Sequence, residues 1–365
     1  MSSTTIPCRA SKSRLSLFDL FPAVLVAAGL STACDLPSVH AAVAGVHESA
    51  GATATLADRG RPRTLAAPSP FTLVVLPDTQ YYAAKHPEIL EAQARWIGRE
   101  REAARIAFVV HEGDIVDEDV DQQWESAARS LHQLDGVVPY VLSVGNHDYR
   151  RAGRLITRHT RIDDYFPPAT IAGNSWFRGS FEPGRIENTF VVLETPGGPW
   201  LILSLEFGPR DAALEWANGI AKSHASLPAI VLTHAYLYAD NSRYDHLSRP
   251  DQKWNPHAYL SDVVPGSVND GEEVWRKLIA RNDNILFVLC GHDLGDGVGR
   301  LTSQRPDGTR VQQLLANFQM GPLGGGGFLR LMHFYPADRH VKVSTYSPYL
   351  DRFKTDPDNE FDLDY

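Results

Sequence analysis

Five times between residues 71 and 293, an apolar run of strand length ends in side chains able to hold a metal ion. Residues 71–76 lead into Pro77-Asp78-Thr79-Gln80, residues 106–110 into His111-Glu112-Gly113-Asp114-Ile115-Val116-Asp117, and residues 137–144 into Gly145-Asn146-His147-Asp148. Residues 229–232 then lead into Thr233-His234, and residues 285–290 into Gly291-His292-Asp293. Short apolar runs bounded by Gly, Asp and Asn read as buried strands. In sheets covered by helices, groups beyond the carboxyl ends of the strands line the ligand crevice. Each unit alone has a plainer reading, because Asp and Asn cap helices and Gly makes turns. Five in succession, each with carboxylate, amide or imidazole at the same end of its strand, predict one rim of ligands.

Helical stretches are expected between these runs, at 88–105, 121–134, 211–223 and 271–282. Strands alternating with helices predict an α/β sandwich. From about residue 70 to 365 there is no repeat or low-complexity break, so this span is expected to be one domain.

The order Asp, Gly-Asp, Gly-Asn-His-Asp, His, Gly-His resembles the calcineurin-like metallophosphoesterase superfamily, over roughly Phe71 to Asp296. The most specific blocks are Gly145-Asn146-His147-Asp148 and Gly113-Asp114-Ile115-Val116-Asp117. The resemblance implies a four-layer sandwich of two mixed β-sheets flanked by helices, with runs at 189–193, 200–205, 311–317, 328–334 and 341–347 supplying the second sheet. It also implies two divalent or mixed-valence metal ions (Mn, Fe, Zn or Mg), which activate water and clamp a phosphoryl group. Asp114 would bridge the ions, and Asn146, His234 and His292 would complete the second metal site. Asp78 and Asp114 would hold the first. Two departures bear on that first site. The family's opening block is usually Asp-x-His, where this chain has Asp78-Thr79-Gln80, a Pro-Asp-Thr-Gln variant associated with a bacterial subgroup. Its closing block is usually Gly-His-x-His, where this chain has Leu294 in place of the second histidine. Gln80 can offer a neutral carbonyl oxygen, and Asp293 and Asp296 are candidate replacement ligands, although Leu294-Gly295-Asp296-Gly297 also reads as an ordinary turn.

By the same resemblance His147 is the general acid or transition-state donor and Asp148 its orienter. Asp117 either orients a ligand from behind Asp114 or caps a helix beginning near Asp119. The implied activity is hydrolysis of a small phosphoester at a binuclear centre. The alternatives are a mononuclear hydrolase with a weak first site and a non-catalytic binding protein for phosphorylated ligands. A retained His147 favours a hydrolase, since a binding module has little use for a leaving-group acid.

Other residues are less telling. His111-Glu112 does not continue as His-Glu-x-x-His, which excludes a zincin motif. Residues 324–327, four glycines, form a flexible loop or bring backbone amides near a phosphate. Tyr81, Tyr82, Tyr236 and Tyr238 line the pocket or pack in the core. Residues 237–264 lack periodicity and are expected to be a lid insertion whose Arg243, His246 and Arg249 meet an anionic substrate or simply solvent.

Residues 1–41 read as an export signal: Arg9, Lys12 and Arg14 open it, 22–30 is its apolar centre, and Val39-His40-Ala41 its cleavage site. Cys34 follows Leu30-Ser31-Thr32-Ala33, an imperfect lipoprotein box, and is a candidate lipid anchor. The segment is too short and interrupted for a transmembrane span. Residues 42–69, rich in Ala, Gly, Thr and Pro, are expected to be a flexible linker. An extracytoplasmic location follows, secreted or periplasmic. Only Cys290 of the three cysteines lies in the body, so no disulfide is expected there. Removing residues 1–41 takes three basic and two acidic side chains and moves the net charge from −9 to −10. So acidic a body argues against nucleic acid as partner, because that affinity comes from clustered Lys and Arg.

Overall fold

Alternation along the first strand sets the layers of the fold. In β1 (Phe71–Leu76), Phe71, Leu73 and Val75 pack into one apolar cluster, and Val74 and Leu76 into another on the opposite face. A strand buried on both faces must lie between two layers. The computed structural model describes residues 68–149, 158–259 and 267–365, all within a compact unit, Thr64–Tyr365. The expected export signal, Cys34 and nearly all of the expected linker lie outside the described residues. Ser69 already belongs to the body, since its amide donates to the Pro196 carbonyl at 3.0 Å.

After β1 come α1 (Gln80–Lys85), α2 (Pro87–Glu100), β2 (Ile106–His111), α3 (Asp121–Leu131), β3 (Tyr140–Leu142), α4 (Ile162–Tyr165) and α5 (Pro168–Ala172). Then follow β4 (Phe177–Ser180), β5 (Thr189–Thr195), β6 (Gly198–Leu205), α6 (Asp211–Ser223), β7 (Ala229–Thr233), α7 (Pro256–Tyr259) and α8 (Gly271–Lys277). The chain finishes with β8 (Ile285–Cys290), β9 (Val298–Gln304), β10 (Arg310–Ala316), β11 (Leu329–Tyr335), β12 (His340–Ser347), β13 (Arg352–Lys354) and β14 (Phe361–Asp364).

One sheet has the order β13-β12-β11-β1-β2-β3, with β14 also on β12; the other runs β4-β5-β6-β7-β8-β10-β9. Both are mixed, with β1, β2 and β3 parallel in the first and β6, β7, β8 and β10 parallel in the second. Between the sheets, Phe71, Phe108 and Phe334 from the first meet Trp200, Ile230 and Phe287 from the second. Phe71 stacks on Phe334 with centroids 4.8 Å apart and planes 2° from parallel. Full burial of one such ring stabilises by about 1.5–3 kcal/mol. Outside the first sheet, Ile89 and Leu90 of α2 and Trp124 of α3 cover Val74 and Val109. Outside the second, Leu214 and Ala217 of α6 and Val274 of α8 cover Leu203 and Val231. The four layers match the expectation.

The helices follow local chemistry. Proline opens α2, where its missing N–H is no loss, and the buried Ile89, Leu90, Gln93, Ala94 and Ile97 fall on one face. It ends at Glu100, short of the expected 105, as the chain turns through a left-handed Arg105 (φ 53°) into β2. Capping is reciprocal at α8: Asp270 accepts from the Glu273 amide while the Glu273 side chain accepts from the Asp270 amide.

Strand assignment to sheets needs one correction. The runs expected at 328–334 and 341–347 do not extend the second sheet. As β11 and β12 they complete the first, with β11 antiparallel to β1 in the register Phe71↔Phe334. Pairing with β2 satisfies only one edge of the buried β1, and the other edge would leave its amides and carbonyls unpaired. Alternation shows which faces are apolar but not which strand closes an edge. Among the described residues, no helix is long and apolar enough to cross a membrane.

Candidate metal centre

Register brings the five strand ends together. Leu76, His111 and Leu142 are paired neighbours across β1, β2 and β3, so the loops carrying Asp78, Asp114 and Asn146 leave that sheet at one level. In the other sheet Leu232 of β7 pairs with Leu289 of β8, which puts His234 and His292 at the matching end. The loops are then tied crosswise. The Thr79 amide donates to the Asp114 carbonyl at 3.1 Å, and the Gly291 amide to the His234 carbonyl at 2.9 Å. Between the sheets, the His292 amide lies 3.2 Å from Oδ2 of Asp78.

Two glycines allow this approach. A Cβ on Gly145 would sit 2.1 Å from Oδ1 of Asp114, and one on Gly291 would sit 2.0 Å from Oδ1 of Asp78. Asp114 (φ 50°) and His292 (φ 75°) themselves adopt the left-handed conformation. Non-glycine residues pay for that conformation, and such strain gathers at functional sites.

One ligand atom each from the buried Asp78, Asp114 and His234 lies within 4.8 Å of the others. Around them Oε1 of Gln80, Oδ1 of Asn146 and Nε2 of His234 are buried without a hydrogen-bond partner. Nε2 of His234 is 3.2 Å from Oδ1 of Asp114. Buried polar atoms are nearly always paired, so two unpartnered oxygens on the segments beside Asp78 and Asp114, together with a His234 nitrogen against Asp114, fit a cation. The histidines are turned to suit one. Nδ1 of His234 is 2.8 Å from the Glu112 carbonyl, and Nε2 of His292 is 2.8 Å from the Trp254 carbonyl. A carbonyl only accepts, so those nitrogens carry the protons, and in the neutral rings Nε2 of His234 and Nδ1 of His292 would be left as lone pairs for a metal. Phe207 and Tyr259 pack on the His292 ring, with centroids 5.3 and 5.6 Å away.

The electrostatics are those of two carboxylates and a histidine sharing too little positive charge. Burial, followed by the charge of Asp114, pushes Asp78 up to about 7, with His234 pulling the other way. Burial opposes ionisation of Asp114 as well, but His234 and His147 hold it well below the usual carboxylate range. Although burial disfavours its charge, His234 is pushed up to about 9 by Asp114 and Asp78. His292 is pushed down to about 3 by burial and by His234. In the chain alone the His234 imidazolium balances the carboxylates. A bound cation would take over that role and leave a neutral, ligating imidazole.

His147 is half-exposed at the rim. Its Nδ1 is 2.8 Å from the Asp117 carbonyl and 3.5 Å from the Asp117 carboxylate, and its amide donates to Oδ1 of Asp114 at 2.9 Å. Burial works against its charge, but Asp114, Asp117 and Asp148 hold its pKa above the ordinary imidazole value. The expected roles of Asp148 and Asp117 therefore need correction. Asp148 does not orient the ring; its carboxylate accepts from the amides of Ile115, Val116 and Gly145 at 2.8, 3.0 and 2.8 Å and clamps two loops together. Asp117 neither reaches a ligand nor caps a helix. It holds His147, and α3 starts with Val120 at the N-cap.

The candidate replacement ligands are occupied elsewhere. Asp293 is buried and accepts from the Tyr244 hydroxyl at 2.7 Å, and Asp296 is exposed and caps a turn at the Val298 amide. Neither belongs to the ligand group around Asp78. Leu294 lines a 370 Å³ cavity beside the rim with Asn317 and Phe318. His111 is fixed in the core by Thr79 and the Gly113 amide. Tyr82 and Tyr236 are core residues bonded to the Gly327 amide and to Gln313. The glycine run thus packs on Tyr82 instead of offering that amide to a phosphate. The expected lid is described as far as residue 259 and is partly core, since Tyr244 is fully buried. Arg243 and Arg249 are paired with Glu272 and Asp240. Sequence reasoning missed the carbonyls of Glu112, Asp117 and Trp254; any residue has a carbonyl, so no side-chain signal marks them.

A family model described as calcineurin-like phosphoesterase matches residues 71–296. The uncharacterized protein YvnB of Bacillus subtilis (strain 168) is 32% identical over 294 residues, which is 77% of this chain and 20% of that protein. The chain thus spans about a fifth of that relative's length. Among solved structures, the purple acid phosphatase PPD1 of yellow lupin (Lupinus luteus) seeds gives a TM-score of 0.48 at 13% identity, over 81% of this chain and 54% of that one. The NAD nucleotidase NadN of Haemophilus influenzae gives 0.40 at 10% identity, over 77% and 48%. With the family model covering more than half of its residues, the chain belongs to the calcineurin-like phosphoesterase family.

Proposed function

We propose that this protein is an exported hydrolase of small phosphoesters that works through two divalent metal ions of unequal affinity. The observation that carries this reading is the buried cluster of Asp78, Asp114 and His234, with unpartnered buried oxygens on Gln80, two residues after Asp78, and on Asn146, whose neighbour His147 donates its amide to Asp114. Asp114, Asn146, His234 and His292 would hold one ion; Asp78, Asp114 and Gln80 would hold the other, more weakly. Such ions, when bound, supply an activated water and neutralise charge on the phosphoryl oxygens. His147 faces the rim with its Nδ1 proton spent on Asp117, so its Nε2 is free to donate to the leaving group. Asp114 and Asp117 favour the protonated form of that ring against its burial, and Asp148 keeps the loop that carries it in place. The weaker first site is favoured by two particulars: Leu294 has no ligand atom, and Asp293 is held by Tyr244. Export rests on the sequence of residues 1–41, with Cys34 a candidate lipid anchor.

The test is metal analysis of purified protein, followed by aryl phosphate mono- and diesters with added Mn, Zn, Fe or Mg. His147→Ala should keep its metal and lose on the order of 10²- to 10⁴-fold in turnover. Wild-type turnover by that variant would remove His147 from the mechanism. Tight binding of phosphorylated compounds without turnover, whatever the metal, would replace the hydrolase by a binding protein.

A further inference from the structure

Away from this centre, four side chains from three parts of the chain meet at the start of α8. They are His246 from the loop after Tyr244, His257 on α7, and Asp270 and Glu273 of the α8 cap. One ligand atom from each lies within 4.8 Å of all the others. Nδ1 of His246 is 2.8 Å from Oδ2 of Asp270, and Nε2 of His257 is 2.7 Å from Oε2 of Glu273. The two imidazoles stack with centroids 3.6 Å apart and planes 29° from parallel.

We propose that His246, His257, Asp270 and Glu273 form a separate structural site for a zinc-like divalent cation, fastening the segment before α7 to α8.

The donor set is the first argument. Two imidazole nitrogens and two carboxylate oxygens make a closed four-ligand set for a borderline ion such as zinc. Ligand bonds of about 2.0–2.2 Å in a tetrahedron put the donor atoms roughly 3.3–3.6 Å apart. The two imidazole–carboxylate pairs, at 2.8 and 2.7 Å, would open by roughly half an ångström while the more distant donors drew together, small movements for side chains to make. Charge is the second argument. Two imidazolium rings stacked at 3.6 Å would repel, so the pair is suited to neutral rings. Neutral rings leave two carboxylates in a largely buried place, with Lys277 reaching only the other oxygen of Glu273 at 3.6 Å. A dication matches that deficit. The third argument is preorganisation, since the carboxylates are held by backbone amides and by Asn255. Oδ2 of Asp270 accepts from the His246 amide at 2.7 Å and from Asn255 at 3.2 Å, and Oε2 of Glu273 accepts from the Asp270 amide at 3.1 Å. Outer hydrogen bonds of this kind orient ligating carboxylates.

None of the four belongs to the catalytic centre, yet the site bears on it. Trp254, three residues before His257, offers the carbonyl that fixes the His292 ring. An ion between His257 and α8 would hold that carbonyl in place.

The full chain is loaded with zinc, freed of excess by gel filtration, and its zinc counted per chain by elemental analysis. His246→Gln/His257→Gln and, separately, the milder Glu273→Gln should each carry one zinc fewer than the unaltered protein. Equal counts in all three overturn the proposal. Because the double variant risks misfolding, a second measurement uses unaltered protein alone: anomalous diffraction at the zinc edge should show a peak between Asp270 and His257. Zinc at Asp114 with no peak there overturns the proposal, whereas a peak there with none at Asp114 upholds it and removes support from the proposed catalytic centre.

Discussion

Gly291→Ala isolates the approach of Asp78 to the second sheet. The backbone at Gly291 is not left-handed, so alanine adds no backbone strain and the whole effect is the new methyl group. That carbon would sit 2.0 Å from Oδ1 of Asp78 and 3.1 Å from its carboxyl carbon, whereas ordinary contact begins at 3.4 Å. The carboxylate must therefore retreat by about 1.4 Å, and its contacts with the His292 amide at 3.3 and 3.2 Å break. Overpacking of this kind costs typically about 1–3 kcal/mol. Metal affinity should fall further, because a carboxylate displaced by more than an ångström no longer meets an ion held by Asp114; disturbing even an outer-shell partner costs roughly 10–100-fold. Gly219→Ala is the control. It lies exposed on α6 with nothing within 4 Å of an added Cβ, and should stabilise by up to about 1 kcal/mol. Calorimetric metal titration and urea unfolding of chelated protein measure both effects. If Gly291→Ala binds its metals within twofold of the unaltered chain, Asp78 is not a ligand.

Three further outcomes follow from the same geometry. Asp148→Asn should lose about 1–3 kcal/mol in urea unfolding, because an amide nitrogen would face one of the three N–H groups that the carboxylate now satisfies; an unchanged midpoint would mean the loops do not depend on it. Leu294→His restores the family's usual imidazole and should tighten the weaker metal class in a zinc titration, while two equal, tight classes in the unaltered protein would show the first site already complete. Metal-free protein should lose stability between pH 6.5 and about 9: His234 is raised to about 9, so its contribution is full below the unfolded value of 6.5 and disappears as pH rises through the folded one. That loss is on the order of 3 kcal/mol and should vanish with saturating metal, so a chelated protein whose stability is flat over this range would contradict the charge balance drawn for the centre.

Much of the proposed site is legible in the sequence because each proposed ligand follows closely on an apolar strand, so pattern and chemistry coincide at Asp78, Asp114, Asn146, His234 and His292. Legibility fails where position is set by tertiary pairing. The run at 328–334 is plainly a strand, but only the open edge of β1 determines that it joins the first sheet. The hydrogen bonds of Asp148 are similarly hidden: adjacency suggested His147 as its partner, and the fold gave it three backbone amides instead. Asp293 stands next to a proposed ligand in sequence, yet Tyr244, 49 residues earlier, holds it. The four residues around Asp270 show no strand-end grammar, because their meeting depends on how a segment without periodicity folds back onto a helix cap.

The Asp78 to His292 contact also sets a clock for synthesis. Its partners are 214 positions apart in the chain. At about 5–20 residues per second, His292 is made roughly 10–40 s after Asp78. β1 waits longer still for β11, its antiparallel neighbour. Until then the N-terminal strands expose a bare apolar edge, and no ion can be gripped from both sheets. On the proposed ligand set, metal capture would be a late event in the birth of this protein, and a chain truncated before Gly291 should emerge with weakened metal retention and an unpaired β1 edge.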